Sequence, residues 1–281
     1  MSRSRVRWQD ALLSICHDRP PAIYSHGWAL VPQQLALNDL SYAEVMHRLS
    51  DISIEFMQRK ALNFWADKSL PDFLSAVDAL YATSKSYLRE TAACKDLSQL
   101  LEHYALKMHL SFFITYICRP AIRNSTKINE TLTNDNLSVR AQESLIRVCQ
   151  AFMDFQALSI VPRRTWSMIH EALSAVLLLY VWDKTRHDTN CRLLQQQVVD
   201  IFTNDITDET TNDNLASRET TWLSPQHIRT LLSLRDALGQ DRPHDISAEN
   251  QSSTPADAVT EVYADTGAPG TDPFAPFSSL E

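Results

Sequence analysis

The chain has 281 residues, 44% hydrophobic and 21% charged, with a formal net charge of −8 and only four glycines. Average usage would supply about 20, and two of the four, Gly267 and Gly270, fall in the last fifteen residues. Dinucleotide-binding α/β folds, P-loop enzymes and β-sandwiches draw on glycine for positive φ and close backbone approach, so all three are set aside. The expected fold class is all-α, an irregular array of about eight helices.

The charge is uneven. Residues 240–281 hold eight acidic residues and one basic residue, Arg242, which puts −7 there and leaves residues 1–239 at −1. A near-neutral body with no dense basic run is a poor match for a phosphate backbone, so direct nucleic-acid binding is not expected. The cysteines (Cys16, Cys94, Cys118, Cys149, Cys191) are scattered without Cys-x-x-Cys spacing. That pattern indicates buried, reduced thiols and neither a zinc site nor a disulfide framework. Residues 11–16 are too short for a signal-peptide core. The longest apolar run, Ala172 to Trp182, is about half a membrane span, so no membrane insertion is expected.

In chain order, Ser41-Tyr42-Ala43-Glu44 reads as a capping box. Val45, Leu49, Ile52 and Phe56 then mark one face of a helix running to about Trp65. Ser69-Leu70-Pro71-Asp72 opens a second helix bearing Phe73, Leu74, Val77 and Leu80. From Asp96 a long helix carries Leu97, Leu101, Tyr104, Met108 and Phe112 and stops at Arg119-Pro120. Residues 124–136 read as a polar loop. The next helix spans about Leu137 to Ile160, and the most apolar one, expected to be central, about Arg163 to Asp183. Another covers about Thr189 to Phe202, followed by a second polar loop from Asn204 to Thr221. The pentapeptide Thr-Asn-Asp-Asn-Leu occurs at 133–137 and 211–215, in both places where capping chemistry starts a helix. The last helix has Ser224 at its cap, Pro225 in its first turn and Gly239 just past its end.

Beyond Gly239 the composition is that of a disordered segment, with Val259, Val262, Tyr263, Phe274, Phe277 and Leu280 set among acids. This is the pattern of an acidic-hydrophobic activation tail. The expected organisation is a helical domain over 1–239 and a disordered acidic tail over 240–281.

No catalytic motif appears. Helical terpene cyclases need clustered aspartates for magnesium and diphosphate. The nearest run, Asp205-Ile-Thr-Asp208-Glu209, falls in the second polar loop. Di-iron bundles need paired Glu-x-x-His, whereas His170-Glu171 is adjacent and in the opposite order. HExxH, GxSxG and P-loop motifs are absent, so no cofactor or catalytic residue is expected. His103 and His109 lie six residues apart, on opposite faces of their helix.

Particular segments resemble a known family. Arg7 to Ile23, with His17-Asp18-Arg19-Pro20-Pro21 at its centre, is similar to the Arg-Pro-Pro signature of fungal-specific transcription factors. That signature belongs to the middle homology region, the helical regulatory domain of zinc-cluster regulators. The helix Tyr104 to Cys118 closing on Arg119-Pro120, the stretch Thr165 to Ser174 with Trp166 and His170-Glu171, and Leu223 to Leu231 resemble further family segments in the same order. The six-cysteine zinc cluster and its basic neighbour are not present in the sequence, so the chain resembles the C-terminal part of such a regulator.

The resemblance implies a transcription regulator, resident in the nucleus, working with the transcription machinery or a full-length regulator. It also implies that Arg19, Pro20, Pro21, Arg119, Pro120, Trp166, His170 and Glu171 are structural. Simple local roles fit them: arginines capping the preceding helices, Trp166 in the core, His170-Glu171 on a helix flank. Two other readings stay open: a helical enzyme with groups such as His109, His170 and Glu171 converging on a pocket, and a helical interaction scaffold.

Overall fold

The computed structural model describes residues 3–23, 39–62, 70–123, 132–211 and 225–240, and it is all-α. Among the described residues there is no β-strand, only an isolated parallel bridge between Leu40 and Ser84. Twelve helices are described, eight of them longer than one or two turns. Of the expected tail over 240–281, residues 241–281 lie outside the described residues, as do Ser224, residues 63–69 and residues 124–131.

Two compact units divide the described chain, one up to Leu178 and one from Leu179, with the division inside a continuous helix. The first unit opens with α1 (Arg3–Cys16), which packs against α2 (Tyr42–Ala61). α2 starts where the sequence places it. Glu44 Oε2 accepts from the Ser41 N–H at 2.8 Å and from Ser41 Oγ at 2.6 Å, so the glutamate half of the box forms and the hydroxyl turns onto the same carboxylate. α3 (Leu70–Ala82) and the short α4 (Ser86–Arg89) lead through a 3₁₀ turn at Thr91–Ala93 to α5 (Leu97–Ile117). Asp96 caps α5 by accepting from the Gln99 N–H at 2.9 Å.

α5 is buried on every face from Met108 to Cys118. It packs chiefly against α7 (Leu132–Leu158), and α2, α3 and α4 cover other sides. Around Phe56, the rings of Phe73, Phe113 and Tyr116 all sit edge-on with centroids 5.0–5.8 Å away, a close aromatic core worth more than its area alone. Two short helices, α6 (Arg119–Arg123) and α8 (Val161–Arg164), turn corners before α7 and before α9 (Trp166–Val181).

The second unit holds the end of α9, the short α10 (Asp183–Arg186), α11 (Thr189–Thr211) and α12 (Pro225–Gln240). Thr185 Oγ1 donates to the Leu179 carbonyl at 2.8 Å, and Asp188 Oδ1 accepts from the Cys191 N–H at 2.8 Å to start α11.

Three boundaries differ from expectation. α7 begins at Leu132, inside the first polar loop. α11 runs nine residues past Phe202, so Asp205, Asp208 and Glu209 are helical. α12 passes through Gly239 to Gln240. In each case the polar residues keep enough helical propensity for a packed helix to extend through them. The helix expected over Arg163–Asp183 is divided at both ends into α8, α9 and α10, because Thr165 and Trp182 take extended backbone angles. No helix among the described residues is long and apolar enough to cross a membrane.

Candidate functional site

The Arg-Pro-Pro corner shows how these segments are held. α1 stops at Cys16 because Asp18 takes a left-handed conformation (φ 46°). The Arg19 N–H then reaches the Ser14 carbonyl at 3.1 Å and the Asp18 N–H the Ile15 carbonyl at 3.4 Å. This is a Schellman closure with aspartate in the position glycine usually fills, and Asp is among the few residues that tolerate it. Pro20 and Pro21 have no N–H to continue a helix. Pro20 is exposed and Pro21 buried.

Two aspartates then tie the corner to the unit. Asp10, on α1, accepts from the Ile23 N–H at 2.8 Å and faces the Arg19 guanidinium at 3.5 Å. Gln58 Nε2, on α2, donates to the Ile23 carbonyl at 3.2 Å. Asp18 receives Lys60 Nζ from α2 and the Tyr116 hydroxyl from α5, with Arg119 Nη1 at 3.7 Å. Lys60 Nζ and Arg119 Cζ also lie over the Tyr116 ring, 4.8 and 4.5 Å from its centroid, as cation–π partners. Burial by itself would raise the Asp18 carboxyl, but the Lys60 and Tyr116 hydrogen bonds and the Lys60 and Arg119 charges outweigh it and hold the group below the usual carboxylate range.

Arg19 and Arg119 are thus each held by an aspartate partner. Pro120 is exposed and opens α6 beside Arg119, so the chain turns there while staying helical.

The start of α9 meets the same corner from another side. Trp166 is 41% exposed, not a core residue, and stacks on the His17 ring (centroids 5.4 Å, planes 15° apart) and on His170 (5.5 Å, 20°). Phe112 of α5 places its ring edge against His170 at 6.0 Å. Burial and the Arg19 charge both hold His17 below an ordinary histidine.

One residue on, the helix turns about 100° and Glu171 points elsewhere. It is fully buried, and its Oε1 lies 2.7 Å from His109 Nδ1 on α5. His170 and Glu171 are therefore buried residues serving two different neighbourhoods, not a pair on a helix flank. Trp8 of α1 meets the His109 ring edge-on at 5.0 Å. Glu171 Oε2 is buried with no hydrogen-bond partner among the described residues. Cys16 is fully buried, and burial, then the Glu171 charge, push its thiol well above the ordinary range. That keeps it a thiol and a poor nucleophile.

Three of the four resembling segments therefore assemble at one place in the first unit: Cys16–Pro21, Tyr116–Arg119 and Trp166–Glu171. The fourth lies on α12 in the second unit. Sequence reasoning did not single out Asp10, Asp18, Lys60 or Tyr116 as site residues. The readable signal for Asp18 is an aspartate two residues before Pro20, where a helix must close; the other three carry no local signal. Chemically the cluster is a set of mutually neutralising ion pairs and stacked rings. No group of three or more His, Cys, Asp or Glu side chains among the described residues is arranged to hold a metal ion.

Comparison with known proteins finds no relative: no family model, no curated protein and no solved structure matches the chain.

Proposed function

We propose that the chain is a transcription regulator of the fungal zinc-cluster type, consisting of a helical regulatory region followed by an acidic segment that recruits the transcription machinery. One observation carries the reading. The residues that resemble the family's signature lie about 50 to 150 positions apart, yet three of the four segments meet through His17, Asp18, Tyr116, Arg119, Trp166 and His170. A regulatory domain needs such a joint, because a signal arriving on one helix must be passed to others through packed, paired side chains. The acidic-hydrophobic composition of residues 241–281 supports the recruiting role.

This reading places the protein in the nucleus and assigns DNA contact to a full-length regulator that acts as its partner. It assigns the chain no catalysis. His109 and Glu171 are closed off from solvent and pair with each other, and the one thiol beside them is suppressed.

The test tethers residues 1–281 and 1–240 separately to an unrelated DNA-binding module over a reporter. Activation by the longer chain, and its loss in the shorter one at equal expression, is the expected result. Silence from both would overturn the reading.

A further inference from the structure

Glu171 is a buried carboxylate with one oxygen left over. Its side chain is fully buried, Oε1 lies 2.7 Å from His109 Nδ1, and Oε2 has no hydrogen-bond partner among the described residues. A carboxylate oxygen taken out of water carries the full cost of its desolvation until a donor reaches it. His109 Nδ1 is already spent on Oε1, so the donor has to come from elsewhere.

The surroundings select its chemistry. Trp8 of α1 is half-buried and stands edge-on to the His109 ring, with centroids 5.0 Å apart. Tyr42, the first residue of α2, is also half-buried. Burial, then the charges of Glu171 and Glu102, push its phenol up, which places both carboxylates within electrostatic range of that ring. Glu102 accepts from the Tyr87 hydroxyl at 2.6 Å, a neutral partner that leaves its charge in place. The Arg119 charge is felt nearby at Cys16 but is paired with Asp18. A water at Oε2 would need two to four polar partners of its own. A cation instead gains from both carboxylates and from the faces of the rings.

We infer that Glu171 anchors a binding site for a small organic ammonium, whose N–H groups donate to Oε2 while its apolar body lies against Trp8 and Tyr42. These two are the half-buried side chains of the group, so entry displaces them and leaves the packed part of α5 in place. Glu171 directly follows His170, which stacks on Trp166 and lies 6.5 Å from the His17 ring. An occupant therefore acts one residue from the joint between α9 and the Arg-Pro-Pro corner. That the ammonium is the effector of a regulator rests on the function proposed above; the binding does not.

The test uses the full-length chain and benzylammonium chloride at pH 7. Benzyl alcohol supplies the same ring without the charge, and sodium chloride controls for ionic strength. Saturable binding is expected by calorimetry, with the His109 ring-proton resonances moving along the same curve. At ten times its dissociation constant benzylammonium should raise the melting temperature by about 3–6 °C. Benzyl alcohol should bind at least about tenfold more weakly. Glu171→Gln keeps the volume and an acceptor for His109 but removes the charge, and should weaken binding at least about tenfold. Should that variant fail to fold, Trp8→Leu, at a half-buried position, should weaken binding about threefold or more. The inference is overturned if no saturable binding occurs below about 10 mM, if the alcohol binds as well, if the His109 resonances stay still, or if a folded Glu171→Gln binds unchanged. Binding with a silent reporter would uphold the site and remove the regulatory reading; an active reporter without binding would do the reverse.

Discussion

Replacing His109 or Glu171 singly, then together, tests whether the α5–α9 pairing is an energetic bond or only a contact. The structure fixes the scale: side-chain exposure is 4% for His109 and 0% for Glu171, and Nδ1 and Oε1 are 2.7 Å apart. Glu171 Oε2 has no hydrogen-bond partner among the described residues, so His109 supplies the carboxylate's one described hydrogen bond. His109→Leu leaves a buried carboxylate without it, which costs about 3–5 kcal/mol. It also gives up the edge contact with Trp8, about 0.5–1.5 kcal/mol. Glu171→Met removes the charge, fills a similar volume and leaves His109 Nδ1 unpaired, for about 1–3 kcal/mol. The double variant has no orphaned polar group at this place and should lose only the edge contact and some packing, about 1–2 kcal/mol. The cycle therefore predicts a coupling of about 4–7 kcal/mol, with the double variant more stable than His109→Leu alone. Urea unfolding followed by circular dichroism measures it. In heat, His109→Leu, at about 5 kcal/mol in all, should melt about 10–20 °C below the parent, at about 2–4 °C per kcal/mol for a unit of this size. Two single effects that add to within about 0.5 kcal/mol would refute the reasoning.

Other consequences follow from the corner itself. Asp18→Asn keeps a side chain that tolerates the left-handed backbone but removes the charge that holds Lys60 and Arg119, and should cost about 1–3 kcal/mol at pH 7. Because the folded Asp18 carboxyl sits below its unfolded value of about 3.9, its contribution is fully present above about pH 5 and is lost as pH falls through the folded value. The stability gap between parent and variant should therefore be flat above pH 5 and close in acid; a gap that widens in acid contradicts the assignment. Asp10→Ala releases both the Ile23 N–H and Arg19. It should cost about 1–3 kcal/mol and speed amide exchange at Ile23, and unchanged exchange would sink the stapling role. Of the five cysteines only Cys94 is not buried. Its thiol is raised by burial and by the charge of Asp96, so a thiol reagent should modify one residue in the native chain, faster as pH rises. Cys94→Ser should abolish that phase, and rapid labelling of Cys16 would overturn the burial argument.

Which parts of this were legible follows from where the information resides. Helix starts were readable at Ser41 and Asp96 because capping is local: a short acceptor beside free amides suffices, and the structure shows Glu44 and Asp96 doing that work. Helix ends in polar stretches were not. Asn and Asp both cap helices and, at a modest penalty, continue them, so residues 132–136 and 203–211 were helical against a local signal for loops.

The cluster lies further from local reach. His170 and Glu171 are neighbours in sequence, yet 100° of helix rotation sends one to a stack with Trp166 and His17 and the other to His109, 62 residues away. Asp18 could be placed at a helix closure, but that Lys60, Tyr116 and Arg119 all turn to it depends on how α2 and α5 pack. That packing is set by the aromatic core around Phe56, to which the Tyr116 ring itself belongs, and not by the charges of Asp18, Lys60 and Arg119. The order of causes is therefore core first, corner second: Phe56, Phe73, Phe113 and Tyr116 fix α2, α3 and α5, and the charged corner is assembled on the rim of what they build. A Phe56→Ala variant should for that reason weaken the Asp18 contacts as well as the core, whereas Asp18→Asn should leave the core rings where they are. That asymmetry would be read as ring-proton shifts for Phe56, Phe73 and Phe113 that change in the first variant and not in the second.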